Sequence, residues 1–258
     1  MSRDKKIILV CGYPKSGTTW LSRLVADMLE APFAGDWGFD TLNRSGINTH
    51  KTKSPYRIYK SHHLGTELDP SGIWKVLHVL RDPRDVVVSG AHFFDMPSLL
   101  KASAGPGKQL DRLMSRAIPP KVRMERKLDR MIEAVLNGDQ TITPWMTYSW
   151  MEHMLSYDKL ARQEVYYEKL LEHPLESLKE LIAFLDIALS EKMLLEAFQR
   201  QKFETRKQEV ANEHPNVQKL VRRGVAGSYK TELNKKQLDR MAPLMGDARN
   251  PYSNANYL

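Results

Sequence analysis

The sequence contains a single cysteine, Cys11, among 258 residues. One thiol excludes an internal disulfide framework and is typical of a reducing compartment. The N-terminus, MSRDKKIILVCG, has charged residues and only a short apolar run, so it indicates neither a signal peptide nor a membrane anchor. The sequence has no internal repeat, and no cluster of His, Cys and carboxylate residues has metal-ligand spacing. We therefore expect a cytoplasmic protein that binds no metal and no membrane.

Basic residues are in excess, with 39 Lys and Arg against 31 Asp and Glu, a formal net charge of +8. This balance favours anionic partners. A nucleic-acid-binding module is one candidate, but it would need aromatic residues within a basic stripe. The basic segments MERKLDRM and NKKQLDRM contain acids instead, which is typical of solvated helix faces. We therefore expect no nucleic-acid partner.

Strand and helix patterns alternate along the chain. Short, β-branched apolar runs predict strands in KKIILVCGYP, PYRIYKSHH, IWKVLHVLRD and EVYYEKLL. Helical periodicity and N-terminal proline signals predict helices in TTWLSRLVADML, PRDVVVSGAHFF, KLDRMIEAVLNGD, WMTYSWMEHMLSY and PLESLKELIAFLDI, and near 190–202 and 234–242. This alternation predicts one α/β domain over 1–258, a three-layer α/β/α fold with a central parallel sheet. Residues 98–123, rich in Gly, Ala and Pro, are interpreted as a mobile excursion covering a site.

The stretch ILVCGYPKSGTTWLSRL has the outline of a phosphate-binding loop: Gly12, four residues, then Gly17 at the start of a helix. The nucleotide-triphosphate version of this loop has Lys after the second glycine, where this chain has Thr18. The lysine is Lys15 instead. Backbone N–H groups of such a loop can hold one phosphate, and Lys15 would then lie over the group attached to it.

The segment YPKSGTTW resembles the 5′-phosphosulfate-binding loop of sulfotransferases that use 3′-phosphoadenosine 5′-phosphosulfate (PAPS). The resemblance implies a P-loop-like fold and release of 3′,5′-adenosine bisphosphate (PAP). Thr18 and Thr19 would bind 5′-phosphate oxygens, and Lys15 would stabilise the bridging oxygen. The implied cofactor-binding residues of this loop are Lys15, Ser16, Gly17, Thr18, Thr19 and Trp20.

Further segments agree with this family, in the right order. VLRDPRDVVVSGAHFF resembles its second signature, which implies that Arg81 and Ser89 bind the 3′-phosphate and that Ser89 restrains Lys15. Ion pairing among Arg81, Asp82, Arg84 and Asp85 at a helix start is the competing interpretation. KLVRRGVAGSYK resembles the late element that surrounds the same phosphate, and it contributes Arg222, Arg223 and Gly224.

The adenine side of the cofactor is matched by VYYEKLLEHPLESLKELIAFL, where Tyr167 is the tyrosine expected against the base. Phe198 is a looser match, and a core position is its competing interpretation. In YRIYKSHHLG, Lys60 and His62 alternate at a strand end and so point to one face. The family's KxH pattern implies that His62 is the general base and that Lys60 assists at the transferring group. His63, on the opposite face, is the competing candidate.

The acceptor is expected to be a small organic molecule with a hydroxyl or amine group. Excursions at about 33–57 and 92–148 would form its side of the site, and an aromatic pocket is typical of such ligands. The expected acceptor-binding residues are Trp37, Phe39, His62, Phe93, Trp145 and Tyr148. A P-loop kinase, with Asp82 holding magnesium, is the alternative enzyme. The sequence leaves monomer and homodimer open.

Overall fold

A computed structural model describes residues 5–37, 53–94, 96, 118–209 and 223–253. The chain divides into two compact units. The first unit contains Met1–Arg81, His153–Ala226 and Leu258, and the second contains Asp82–Glu152 and Gly227–Tyr257. None of the described helices is long and apolar enough to cross a membrane.

The first unit is built on a five-stranded sheet in the order β2-β3-β1-β4-β5. All four neighbouring pairs are parallel. The strands are β1 (Lys6–Gly12), β2 (Phe33–Asp36), β3 (Tyr56–Ser61), β4 (Ile73–Leu80) and β5 (Arg162–Tyr166). The predicted α/β class with a central parallel sheet flanked by helices is therefore confirmed.

The central strand β1 is buried on both faces, as its continuous apolar pattern predicts. Ile8 and Val10 belong to the main hydrophobic core. Leu9 and Cys11 point the other way, into a second cluster with Tyr157. Burial raises the pKa of the Cys11 thiol to about 12, against a smaller opposing effect of the Tyr157 hydroxyl. Cys11 is therefore a protonated core residue.

Ten α-helices are present in the described residues: α1 (Thr18–Met28), α2 (Pro83–Phe93), α3 (Pro120–Asn137), α4 (Trp150–Leu155), α5 (Tyr167–Glu172), α6 (Pro174–Phe184), α7 (Glu191–Arg200), α8 (Phe203–Glu209), α9 (Tyr229–Glu232) and α10 (Lys235–Gly246). Two 3₁₀ turns cover Gly65–Glu67 and Pro144–Met146. Each predicted helix has a counterpart among them, and α2 and α6 begin at the prolines that the sequence marks.

Several boundaries differ from the sequence prediction. The strand predicted in EVYYEKLL ends at Tyr166, and Tyr167 opens α5. The helix predicted in WMTYSWMEHMLSY is interrupted, because only a 3₁₀ turn and the short α4 form there. Strand β2 lies in a segment assigned to an excursion, and α8 was not predicted. Within 98–123, α3 already begins at Pro120, while 98–117 lies outside the described residues.

Candidate active site

Candidate residues of the first unit follow the carboxyl ends of the strands. Trp37 follows β2, His62 follows β3, Arg81 follows β4 and Tyr167 follows β5, while the Lys15 loop follows β1. The carboxyl ends of parallel strands meet at one edge of a sheet, where α/β proteins bind ligands. The parallel register therefore brings residues distant in sequence to one edge.

The loop after β1 has the backbone of a phosphate-binding turn. Ser16 donates its N–H to the Tyr13 carbonyl at 3.0 Å, which closes a tight turn. Lys15 and Gly17 both have left-handed backbones, with φ of 74° and 101°. Such turns direct successive N–H groups into a concavity that suits an anion.

Helix α1 begins directly behind this turn with an open N-terminus. Gly17 is its N-cap, and among the described residues no side chain caps it and no acid lies in its first turn. The first N–H groups of a helix lack intrahelical partners and favour an anion. The Ser16 hydroxyl is fully buried and has no hydrogen-bond partner in the described structure. An orphaned donor beside an uncapped helix fits a bound phosphate.

Tyr167 packs directly against this loop. A β-carbon on Gly17 would lie 2.7 Å from Tyr167 Cδ2, so only glycine fits under the ring. The Arg81 guanidinium lies over the same ring, 4.3 Å from its centroid. Arg81 also donates to the carbonyls of Lys15 at 3.1 Å and Val225 at 3.2 Å. Arg81 therefore connects the loop after β1, which contains Lys15, to the segment that contains Val225.

The aromatic residues expected at the cofactor form one group. Trp20 lies 5.4 Å from Tyr167 and 6.0 Å from Phe198, both edge-to-face. Its indole N–H donates to the Gln201 carbonyl at 2.8 Å. Phe198 is only 3% exposed and belongs to the main core, which supports its competing interpretation. Its contact with an adenine stays a prediction.

His62 lies immediately beyond the end of β3 and is held by β1. Its Nδ1 lies 2.7 Å from the Gly12 carbonyl oxygen. A carbonyl oxygen only accepts hydrogen bonds, so Nδ1 must be the donor and the Nε2 lone pair is left to accept a proton. Burial lowers the pKa of His62 to about 4, helped by the Lys60 charge and opposed by the Gly12 carbonyl. His62 is therefore neutral at pH 7, as a base must be.

Lys60 lies on the same side of the sheet, beside the end of β2. Its ammonium lies 3.0 Å from Asp36, and its carbonyl accepts the Trp37 N–H at 2.8 Å. The Trp37 ring packs edge-to-face on Tyr59 at 5.2 Å. Parallel pairing of β2 with β3 places Asp36 opposite Lys60 and so makes it the partner of this ammonium.

His63, the competing base, has different surroundings. Its Nδ1 lies 3.9 Å from the Glu67 carboxylate, on the 3₁₀ turn that follows. Its carbonyl accepts a hydrogen bond from the Tyr157 hydroxyl. The Tyr157 ring packs against the buried His78 and His153. These residues could not be identified from the sequence, because their contacts depend on tertiary packing.

In the late element, Gly224 has φ of 62° and packs on Phe203 at the start of α8, and Arg223 is exposed. Arg222 lies outside the described residues, as does Phe39. Their contributions to the cofactor or acceptor site stay predictions.

The second unit carries the remaining candidates. Ser89 is half-buried in α2, and Phe93 packs edge-to-face on Phe94 at 5.0 Å. Trp145 lies half-buried in the 3₁₀ turn, and Tyr148 is 38% exposed. The structure describes these side chains within their own unit, so their roles toward cofactor and acceptor stay predictions.

The acids at the start of α2 have structural roles. Asp82 caps the helix, accepting the Arg84 N–H at 2.8 Å, and its carboxylate also pairs with the Arg84 guanidinium. Buried Asp85 accepts the N–H groups of Gly227 at 2.6 Å and Tyr229 at 3.0 Å. Because the Asp82 carboxylate is paired with Arg84, it is not placed to hold magnesium as the kinase alternative requires. No metal-binding cluster of three or more His, Cys, Asp or Glu was found in the described part of the chain.

Comparison with known proteins gives consistent matches. Residues 5–248 match the family model described as the sulfotransferase domain. Sulfotransferase 1 family member D1 of Mus musculus is 23% identical over 90% of this chain and 80% of its own length. Sulfotransferase 1C2 of Homo sapiens is 25% identical over 90% of this chain and 79% of its own.

Solved structures share the fold. The mouse sulfotransferase SULT7A1 complexed with PAP superposes with a TM-score of 0.64 at 21% identity, over 93% of this chain and 83% of that one. Retinol dehydratase in complex with androsterone and PAP has a TM-score of 0.63 at 17% identity, over 93% and 80%.

Proposed function

Since the chain belongs to the sulfotransferase domain family, we propose that it moves a sulfuryl group from PAPS to a hydroxyl or amine of a small organic acceptor, with His62 as general base. Sulfuryl transfer from PAPS is the reaction of this family, and a kinase is not favoured. The observation that carries the residue assignment is the hydrogen bond from His62 Nδ1 to the Gly12 carbonyl. It leaves Nε2 as a neutral acceptor at the sheet edge that bears the phosphate loop.

The phosphosulfate end of the cofactor fits the loop after β1. The open N–H groups at the start of α1 and the Ser16 hydroxyl would hold the 5′-phosphate, with Thr18 and Thr19. When bound, PAPS supplies the activated sulfuryl group, and PAP leaves as the bond between sulfur and the 5′-phosphate breaks. Lys15 would stabilise the negative charge on the leaving phosphate.

The 3′-phosphate would lie near Arg81 and the late element with Arg222, Arg223 and Gly224. The Nε of Arg81 is buried and has no partner in the described structure, so this guanidinium retains a donor beyond its carbonyl contacts. That Ser89 binds this phosphate and restrains Lys15 stays a prediction.

His62 and Lys60 would act on the acceptor. His62 Nε2 takes the proton of the acceptor hydroxyl or amine as the oxygen or nitrogen attacks sulfur. Lys60, held by Asp36, provides positive charge beside the transferring group. Because bound PAPS brings several negative charges, its binding should raise the pKa of His62 from about 4 toward the pH of catalysis.

A small organic acceptor fits the surroundings of Trp37, whose ring packs edge-to-face on Tyr59 on the face of the sheet that bears Leu9 and Cys11. The neighbouring retinol dehydratase structures hold androsterone or retinol, both small organic molecules. Phe93, Trp145 and Tyr148 would complete the acceptor side. A cytoplasmic location and the oligomeric state stay predictions.

Turnover with a panel of alcohols, phenols and amines, read out as PAP release, tests this function. We expect PAPS-dependent turnover with at least one acceptor. His62→Ala should lower kcat by about 10²- to 10⁴-fold and leave PAP affinity nearly unchanged. His63→Ala is the matched control and should keep most activity. Loss of turnover in His63→Ala but not in His62→Ala would reassign the base.

A further inference from the structure

The backbone that follows His62 is held by contacts with Ser156 and Tyr157, which are distant in sequence. The Tyr157 hydroxyl donates to the His63 carbonyl at 2.6 Å, across 94 residues of sequence. The neighbouring Ser156 hydroxyl accepts the Gly65 N–H at 2.8 Å. A β-carbon on Gly65 would lie 2.6 Å from the Ser156 carbonyl oxygen, so the two segments are in direct contact. The loop carrying His62 is thus held from its C-terminal side.

Tyr157 is itself held rigidly. It is fully buried, and its ring stacks on His78 with centroids 4.1 Å apart and planes 19° apart. The ring also packs in the cluster that contains Leu9 and Cys11 of β1. Burial raises the pKa of the Tyr157 hydroxyl well above its ordinary value, so the group remains a hydrogen-bond donor across the working pH range.

His62 is placed between two anchored neighbours. On one side, Ser61 is the last residue of β3 and pairs with Cys11 in the ladder. On the other side, the His63 N–H donates to the Ser61 hydroxyl at 3.1 Å and the His63 carbonyl accepts from Tyr157. The ladder ends at Ser61, so beyond that point side chains determine the path of the backbone. The His63 contact to Tyr157 joins this path to the buried cluster that contains Leu9 and Cys11.

We propose that Tyr157 is a positioning residue for the general base, which through the His63 carbonyl keeps His62 Nδ1 on the Gly12 carbonyl and Nε2 toward the acceptor. The proposal rests on the proposed function of His62. Tyr157 touches neither cofactor nor acceptor in this role. Its effect is on geometry, and displacement of a catalytic group by about 1 Å can cost about 100-fold in rate.

Tyr157→Phe is the sharpest test, because it keeps the ring and its stack on His78 and removes only the hydroxyl. Tyr166→Phe is the matched control, because it too removes a tyrosine hydroxyl that is hydrogen-bonded within the first unit, here to Glu164 on β5 at 2.9 Å. For each variant we would measure kcat, acceptor KM, PAP affinity by calorimetry and Tm.

For Tyr157→Phe we expect kcat to fall by about 10- to 100-fold, with PAP affinity within about twofold of wild type. Tyr166→Phe should keep wild-type kcat even if its Tm falls. Equal kcat for Tyr157→Phe and wild type would overturn the proposal, as would a Tyr157→Phe loss confined to Tm. If wild type itself shows no PAPS-dependent turnover, the proposed function has failed, a result distinct from either outcome.

Discussion

Arg81 shows how much a single motif residue can do beyond its expected contact. The family resemblance implies a 3′-phosphate ligand, yet the guanidinium already binds the carbonyls of Lys15 and Val225 and covers Tyr167. Hydrogen bonds that involve a charged group contribute about 1.5–3 kcal/mol each. Removing Arg81 should therefore disturb the phosphate loop as well as the 3′-phosphate.

Two substitutions separate these effects. Arg81→Ala should weaken both PAP and adenosine 5′-phosphosulfate, which lacks the 3′-phosphate, because the Lys15 turn loses its support. Arg223→Ala, at an exposed residue, should weaken only PAP. Calorimetry measures the affinity of each variant for both ligands. If Arg81→Ala binds adenosine 5′-phosphosulfate as tightly as wild type does, the role of Arg81 is limited to the 3′-phosphate.

The family resemblance implied His62 as the candidate base, and alternation at a strand end placed it on one face with Lys60. The sequence could not predict its tautomer or its lowered pKa. Both depend on the Gly12 carbonyl and on burial, which follow from the β1–β3 register. Tyr157 was missed for the same reason: its partner is a backbone carbonyl 94 residues away.

The loop between β1 and α1 is the element on which the proposed phosphate site depends. Gly17 needs its left-handed backbone, with φ of 101°, and also the space that a β-carbon would take from the Tyr167 ring. The sequence identified the two glycines from their spacing. It placed Tyr167 in the strand, although Tyr167 opens α5 and lies against the loop from there.

Gly17→Ala tests this packing, with Gly72→Ala as its control. Gly72 has a similar φ of 91° but no atom within 4 Å of an added β-carbon. Both variants incur about 1–2 kcal/mol for a left-handed alanine, and Gly17→Ala should lose about 1–3 kcal/mol more through overlap with Tyr167. Urea unfolding measures the difference. PAP affinity should fall only for Gly17→Ala; equal losses of stability and unchanged binding would contradict the packing argument.

Four of the five strands and most helices were predictable, because the apolar pattern of the strands is continuous, as in β4, and proline marks helix starts, as in α2 and α6. Strand β2 was missed because its four residues, Phe33–Asp36, are too short to show a period. It is stabilised by pairing with β3, a tertiary contact that local pattern does not encode.

At the scale of the whole molecule, buried histidines link stability to pH. His78 is fully buried, and neither ring nitrogen has a hydrogen-bond partner in the described structure. Burial lowers its pKa well below the ordinary value, with further lowering by the His153 and Arg162 charges. Burial likewise lowers the pKa of His153 to about 3. These rings are neutral when folded, whereas in the unfolded chain they take up protons below about pH 6.5.

The free energy of unfolding should consequently fall as the pH drops from about 6.5 toward 3, because the unfolded chain binds more protons. His78→Phe keeps a ring against Tyr157 and removes one such site. Below about pH 5.5 its stability should depend on pH less steeply than wild type, by about 1.4 kcal/mol per pH unit. Exposed His173, changed to Gln, is the control and should follow wild type. Urea unfolding from pH 7 to pH 4.5 measures both, and parallel curves for His78→Phe and wild type would refute the linkage.

For the molecule as a whole, the net charge of +8 favours an anionic partner but does not identify it. Titration calorimetry of the wild-type protein with PAP, in buffer containing a metal chelator, tests most directly whether this chain binds the adenosine bisphosphate. We expect saturable binding at one site without divalent metal, and no comparable binding of ATP. Absence of binding heat with PAP, together with magnesium-dependent binding of ATP, would contradict this expectation.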